Sequence, residues 1–79
     1  MKYKCVCCGH NTLQSANALD HEICPVCFWE NDPIQNEQPE YSGGANKISL
    51  TQARENYKKF GAVLKEYSEN VRPALDDEM

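Results

Sequence analysis

Four cysteines form two Cys-x-x-Cys pairs, Cys5/Cys8 and Cys24/Cys27, with fifteen residues between the pairs. This spacing points to a tetrahedral four-thiolate Zn2+ site. Two residues between cysteines let the chain turn back so that both sulfurs of a pair face one ion. Such a turn aims backbone amides at the sulfurs, and Gly9 after Cys8 suits it because glycine tolerates the conformation that closes it. Pro25 stiffens the second loop. Phe28 stands where the first loop has its glycine, so the second loop is expected to be less regular. Four cysteines close the shell, which makes the site structural, since a catalytic zinc keeps one position open for water. The expected ligands are therefore Cys5, Cys8, Cys24 and Cys27. Cys7 could replace Cys8, but a Cys-x-Cys pair chelates less comfortably, and Cys7 is read as a small buried or half-exposed thiol. His10 and His21 are read as polar residues outside a shell that sulfur already fills.

No other constellation carries comparable chemistry. Cys24-Pro25-Val26-Cys27 could be a redox pair, yet thioredoxin-type motifs open a helix after a strand, and Asp32-Pro33 follows too soon here. Ser42 and Ser49 have no evident His and Asp partners. Glu30 and Asp32 read as a solvated acidic loop before they read as a carboxylate pair. Gly43-Gly44-Ala45-Asn46 lacks the lysine and preceding strand of a phosphate loop.

The chain that must position the cysteines has 79 residues, enough for one domain. A domain of this size buries only about 60% of its unfolded surface and usually adds a staple. Lys2, Tyr3 and Lys4 precede the cysteines without an apolar leader, and no stretch approaches a membrane span, so a cytoplasmic location is expected. In that compartment paired cysteines hold metal more often than they form disulfides. The net charge of −4 is unevenly spread. No Lys or Arg lies between Lys4 and Lys47, whereas Asp20, Glu22, Glu30, Asp32, Glu37 and Glu40 do. Thiolate ligation would make this half more acidic still. Nucleic-acid affinity comes from Lys and Arg meeting phosphates, so a polyanion is an unfavourable partner there.

Residues 2–5 can form a short strand, Thr12-Leu13 its return, and His21-Glu22-Ile23 the approach to the second loop. Residues 30–48, with Pro33, Pro39, Gly43 and Gly44, read as a long loop held by Trp29, Ile34 and Tyr41. Gly43-Gly44 allows positive φ and a close approach of backbone to a neighbour. A helix then starts at Ser49, with Gln52 completing a capping box. Leu50, Ala53, Tyr57, Phe60, Leu64, Tyr67 and Val71 share one helical face. Gly61 can split this helix into 50–60 and 62–71, Pro73 ends it, and residues 74–79 read as a frayed acidic tail.

Cys-x-Cys-Cys-Gly at 5–9, Ile23-Cys24-Pro25-Val26-Cys27-Phe28-Trp29-Glu30-Asn31-Asp32, Gly43-Gly44-Ala45-Asn46, and Ser49-Leu50 followed by Ala53-Arg54 stand in fixed order. Together these blocks resemble the small cysteine-rich CPCC family. Phe60-Gly61-Ala62 and Val71-Arg72-Pro73 continue the similarity along nearly the whole chain. Val6 stands where the family's namesake motif has proline, a change that bears on loop stiffness and leaves the cysteines intact. The resemblance implies a free-standing small protein or short domain of largely bacterial distribution. It also implies an immunity or interaction role of the kind encoded near toxin or defence genes.

The fold expected is a small α+β metal-stabilised domain over 1–73: a zinc ribbon at 1–29, a loop at 30–48 and a covering helix at 49–72. Leu50, Tyr57, Phe60 and Leu64 would cover the ribbon, with Trp29 in the middle. The function expected is a non-enzymatic protein-interaction module, of toxin-inhibitor type, whose acidic 30–40 segment meets a protein with a basic surface. One alternative is a nucleic-acid-associated zinc ribbon using Lys47, Arg54, Lys58, Lys59 and Lys65. Another is a thiol-dependent redox protein. The apolar seam is also compatible with a homodimer through the helix.

Overall fold

A computed structural model describes residues 2–79. Strand β1 (Tyr3–Lys4) pairs antiparallel with β2 (Asn11–Leu13), Tyr3 opposite Leu13 and Lys4 opposite Asn11. One step along β1 therefore matches two along β2, and Thr12 is the extra residue of a bulge. Alternation along the strand breaks there, so that Thr12 and Leu13 are both buried. The expected approach strand at 21–23 is reduced to a single bridge between Ile23 and Glu30.

The segment 30–48 is not a structureless loop. It contains helix α1 (Pro33–Glu37), capped by Asp32, whose carboxylate accepts from Ile34 N at 2.8 Å and Gln35 N at 3.3 Å. Asp-Pro reads as a turn in sequence, but it is equally a cap followed by the first helical position, where proline fits best. Trp29 is buried as expected, and its indole N–H donates to Asn36 Oδ1 at 3.1 Å. The other two expected anchors are wrong: Ile34 is 57% exposed and Tyr41 45%. Gln35, fully buried, holds the segment instead. The two protons of its Nε2 are shared among the carbonyls of Tyr41, Asn46 and Ile48, each 3.1 Å away, and its Oε1 accepts from Asn46 N and Nδ2. Gly44 lies against this network. A Cβ there would fall 2.8 Å from Asp32 Oδ2 and 2.9 Å from Gln35 Cδ, the close approach expected of the glycine pair.

Helix α2 (Leu50–Phe60) starts at the Ser49 cap, whose Oγ accepts from Gln52 N at 3.1 Å. The Gln52 side chain bonds Asn56 Oδ1, so only half of the capping box forms. The helix ends at Gly61, which has φ +75° and donates to Tyr57 O. No second helix occupies 62–71. The chain hooks back instead, burying Ala62 and Val63, and makes only a 3₁₀ turn at Lys65–Tyr67. Leu50 and Ala53 are buried, but Phe60 is 40% exposed, because the hook takes the place at the core that the next helical turn would have filled. No helix among the described residues is long and apolar enough to cross a membrane.

The acidic end docks where fraying was expected. Residues Asp76–Glu78 form a 3₁₀ turn against β2, and Glu78 is fully buried. Its carboxylate accepts from Lys2 Nζ at 2.8 Å, both terminal nitrogens of Arg72 at 2.8 and 2.9 Å, and Leu75 N at 2.9 Å. Arg72 foremost, then the Leu75 amide and Lys2, hold its pKa well below the ordinary 4.5. A depressed carboxylate contributes stability that is whole above the unfolded pKa and drains away as pH falls through the folded one. Glu78→Gln is therefore expected to lower the melting temperature at pH 7. The gap between variant and parent should narrow progressively as pH drops below about 4.5, in thermal melts followed by circular dichroism. An equal gap at every pH would show that the carboxylate is not charged in the fold.

Candidate metal centre

The two cysteine loops are twins. In the first, Gly9 N donates to Cys5 O and Cys5 N to His10 O, each at 2.9 Å. In the second, Phe28 N donates to Cys24 O and Cys24 N to Trp29 O, again at 2.9 Å. The closing residues adopt the same left-handed backbone, Gly9 at φ +80° and Phe28 at φ +75°. The expectation of a less regular second loop is thus wrong. Phe28 accepts a conformation that costs a non-glycine residue about 1 kcal/mol, and its ring packs on Tyr67 with centroids 4.6 Å apart.

These turns bring the sulfurs of Cys5, Cys8, Cys24 and Cys27 within 4.8 Å of one another. Cys5 and Cys27 sulfurs are 3.6 Å apart, those of Cys8 and Cys24 3.8 Å. Four sulfurs each about 2.3 Å from a shared tetrahedral centre would stand about 3.8 Å apart. The spacing therefore suits a metal with soft ligands and is much too long for a disulfide. Val26 N and Trp29 N point at the sulfurs of Cys24 and Cys27, both at 3.4 Å. The Thr12 hydroxyl, turned inward by the β2 bulge, lies 3.0 Å from the Cys24 sulfur.

Charge strengthens the fit. The Cys24 thiol is pulled well down, by Cys27 foremost and then by Cys5 and Cys8, with Thr12 adding to the pull. The thiols of Cys5, Cys8 and Cys27 are pushed well up, Cys24 being the first cause of each. Four thiolates packed this closely repel one another, so all four ionise together only around a cation.

The C-terminal half grips both loops. The Arg54 guanidinium donates to Val6 O twice, at 2.8 and 3.0 Å. Val63 N donates to Cys27 O at 2.9 Å and Arg72 N to Pro25 O at 3.1 Å. Arg54, which composition alone offers to a polyanion, is thus tied to the first loop.

The remaining candidates fall outside the cluster. Cys7 is buried in the same core. His10 and Tyr57 stand in a T-shaped pair with ring centroids 6.5 Å apart, and His21 Nδ1 stands 3.8 Å from Glu30 Oε2. Asp32 is occupied with its cap and with Ala45 N at 3.0 Å, which is the main cause of its lowered pKa. Sequence reasoning missed Thr12 and the clamp role of Arg54. A buried hydroxyl at a bulge has no one-dimensional signature, and Arg54 lies 48 residues from its acceptor.

Fold and site define a small α+β domain whose four clustered cysteines could hold a metal ion. The chain matches the family described as cysteine-rich CPCC over residues 3–78, from β1 to the docked Glu78, and it belongs to that family. A comparison with curated proteins finds no match.

The twin turns also set a mutational expectation. Nothing lies within 4 Å of a Cβ built on Gly9, so Gly9→Ala meets only backbone strain. It should cost about 1 kcal/mol in denaturant unfolding and leave metal stoichiometry unchanged. A neutral result would mean that the first turn relaxes out of the left-handed region.

Proposed function

We propose that this chain is a non-enzymatic protein-interaction module in which Cys5, Cys8, Cys24 and Cys27 hold a structural Zn2+ in a zinc-ribbon-like N-terminal half. The convergence of four inward-facing sulfurs at tetrahedral spacing carries this reading. Four thiolates leave no position for substrate or water, so the ion would act as a fold staple whose binding energy is folding energy. The partner fitted best is a protein with a basic surface, because every charged side chain from Cys5 to Asn46 other than the histidines is acidic. An inhibitor or immunity role against a basic toxin is the form of this reading that the acidic half favours.

Two other readings have less behind them. For nucleic acid, the patch loses Arg54 to Val6 O, leaving Lys58 and Lys59 on α2 and Lys47 and Lys65 outside it. For redox chemistry, the Cys24–Cys27 turn does not open a helix; α1 begins only at Pro33.

Native mass spectrometry of the purified chain, combined with affinity capture from its host, tests the proposal. One zinc per chain and a protein partner released by salt are expected. Zinc with no partner across growth conditions would overturn the interaction reading while leaving the staple in place. Absence of bound metal would overturn the staple.

A further inference from the structure

Behind the second cysteine turn lies a cleft of about 130 Å³, walled by Ile23, Phe28, Ile48 and Tyr67, with Glu30 and Lys47 beside it. Its size is decisive. Sites for drug-sized molecules run from roughly 300 to 1,000 Å³, so this one has room for a single aliphatic side chain. Its wall contains the strained Phe28. The twin position in the first turn is a glycine, so a phenyl ring at φ +75° is kept against a standing backbone cost. Strain held by a non-glycine residue at the wall of a cleft points to use of its side chain there.

The backbone that carries the acidic group beside the cleft is also fixed in place. Asn46 grips Glu30 at both backbone groups, accepting from its N–H at 2.9 Å and donating to its carbonyl at 2.8 Å. The Glu30 carboxylate is one-third exposed, and His21 Nδ1 lies 3.8 Å from it. Lys47 forms no ion pair with it among the described residues. A cation arriving from outside would therefore find a carboxylate on a rigid mount beside an apolar slot.

We propose that this cleft is the anchor point for the protein partner. It takes one leucine- or isoleucine-sized side chain from a segment that carries Lys or Arg next to it, the cation meeting Glu30. The proposal rests on the protein-interaction reading above and adds to it the place and the recognition chemistry.

The test is an NMR titration of the full, metal-loaded chain with three capped pentapeptides. Acetyl-Gly-Arg-Leu-Arg-Gly-amide is the probe; in one control the central Leu is Ala, and in the other both Arg are Glu. The probe should give saturable shift changes at Ile23, Phe28, Glu30, Ile48 and Tyr67, with a dissociation constant on the order of a millimolar. The alanine peptide should bind at least about tenfold more weakly. Glu30→Gln should weaken the probe about threefold. Ala45→Leu, which adds bulk at an exposed lining position, should abolish the titration. Equal titration by all three peptides, shifts scattered away from the cleft, or an unchanged titration in Ala45→Leu would each overturn the proposal. A captured partner that binds Ala45→Leu and Glu30→Gln as tightly as the parent would sink the cleft and leave the interaction module standing.

Discussion

Chelation of the metal at neutral pH is expected to unfold the chain. The far-ultraviolet circular dichroism of α2 should collapse and cooperative melting should disappear. Structural zinc contributes roughly 10 to 16 kcal/mol in small metal domains. Net stability of an ordinary domain is about 5 to 15 kcal/mol, and this chain sits at the small end of the size range. Removing the ion therefore takes away as much as the whole fold has. The loss is not confined to the N-terminal half, because Arg54, Val63 and Arg72 each bond a carbonyl within the cysteine loops. Cys24→Ser should reproduce the chelated state, since it removes one of the four clustered sulfurs and leaves three where the tetrahedral site needs four. Cys7→Ser should keep one metal per chain. A chelated protein with unchanged ellipticity and melting point would refute the staple outright.

Gln35→Met is expected to destabilise the metal-loaded protein by about 3 kcal/mol or more, measured by urea unfolding. Methionine keeps the length and volume of the side chain but removes both polar ends. Three carbonyls and the Asn46 amides then lose a partner inside a buried network. Each orphaned group costs about 1 to 3 kcal/mol, and some relaxation offsets the sum. Ile34→Ala, one position earlier, should change stability by less than about 0.5 kcal/mol because that side chain is mostly in water. If the two variants cost the same, α1 is held by something other than the glutamine.

That contrast shows where the sequence was readable. Ligand type and spacing are local properties, so the cysteine cluster could be read directly. The Ser49 cap and the period that follows it are local too, and α2 starts where they place it. The position of Ile34 could not be read, since hydrophobicity states a preference for burial without saying which side of a five-residue helix meets the core. Gln35 was invisible for the opposite reason. A polar side chain is buried only when partners are waiting, and its partners lie 6 to 13 residues away across a glycine turn. Gly61 was rightly suspect as a break. The period beyond it continued at 64, 67 and 71, but the tertiary pull of Val63 toward Cys27 prevailed. Glu78 looked like part of a solvated acidic run because its cations, Lys2 and Arg72, converge on it only in three dimensions.

The lone tryptophan of the chain is also the residue whose amide points at the Cys27 sulfur. Its indole is buried in the same core as the clustered cysteines, with the ring nitrogen tethered to Asn36. The molecule thus carries its own optical gauge. Intrinsic emission from one fluorophore should follow loading and release of the ion in real time, without a label and at dilutions where calorimetry is blind.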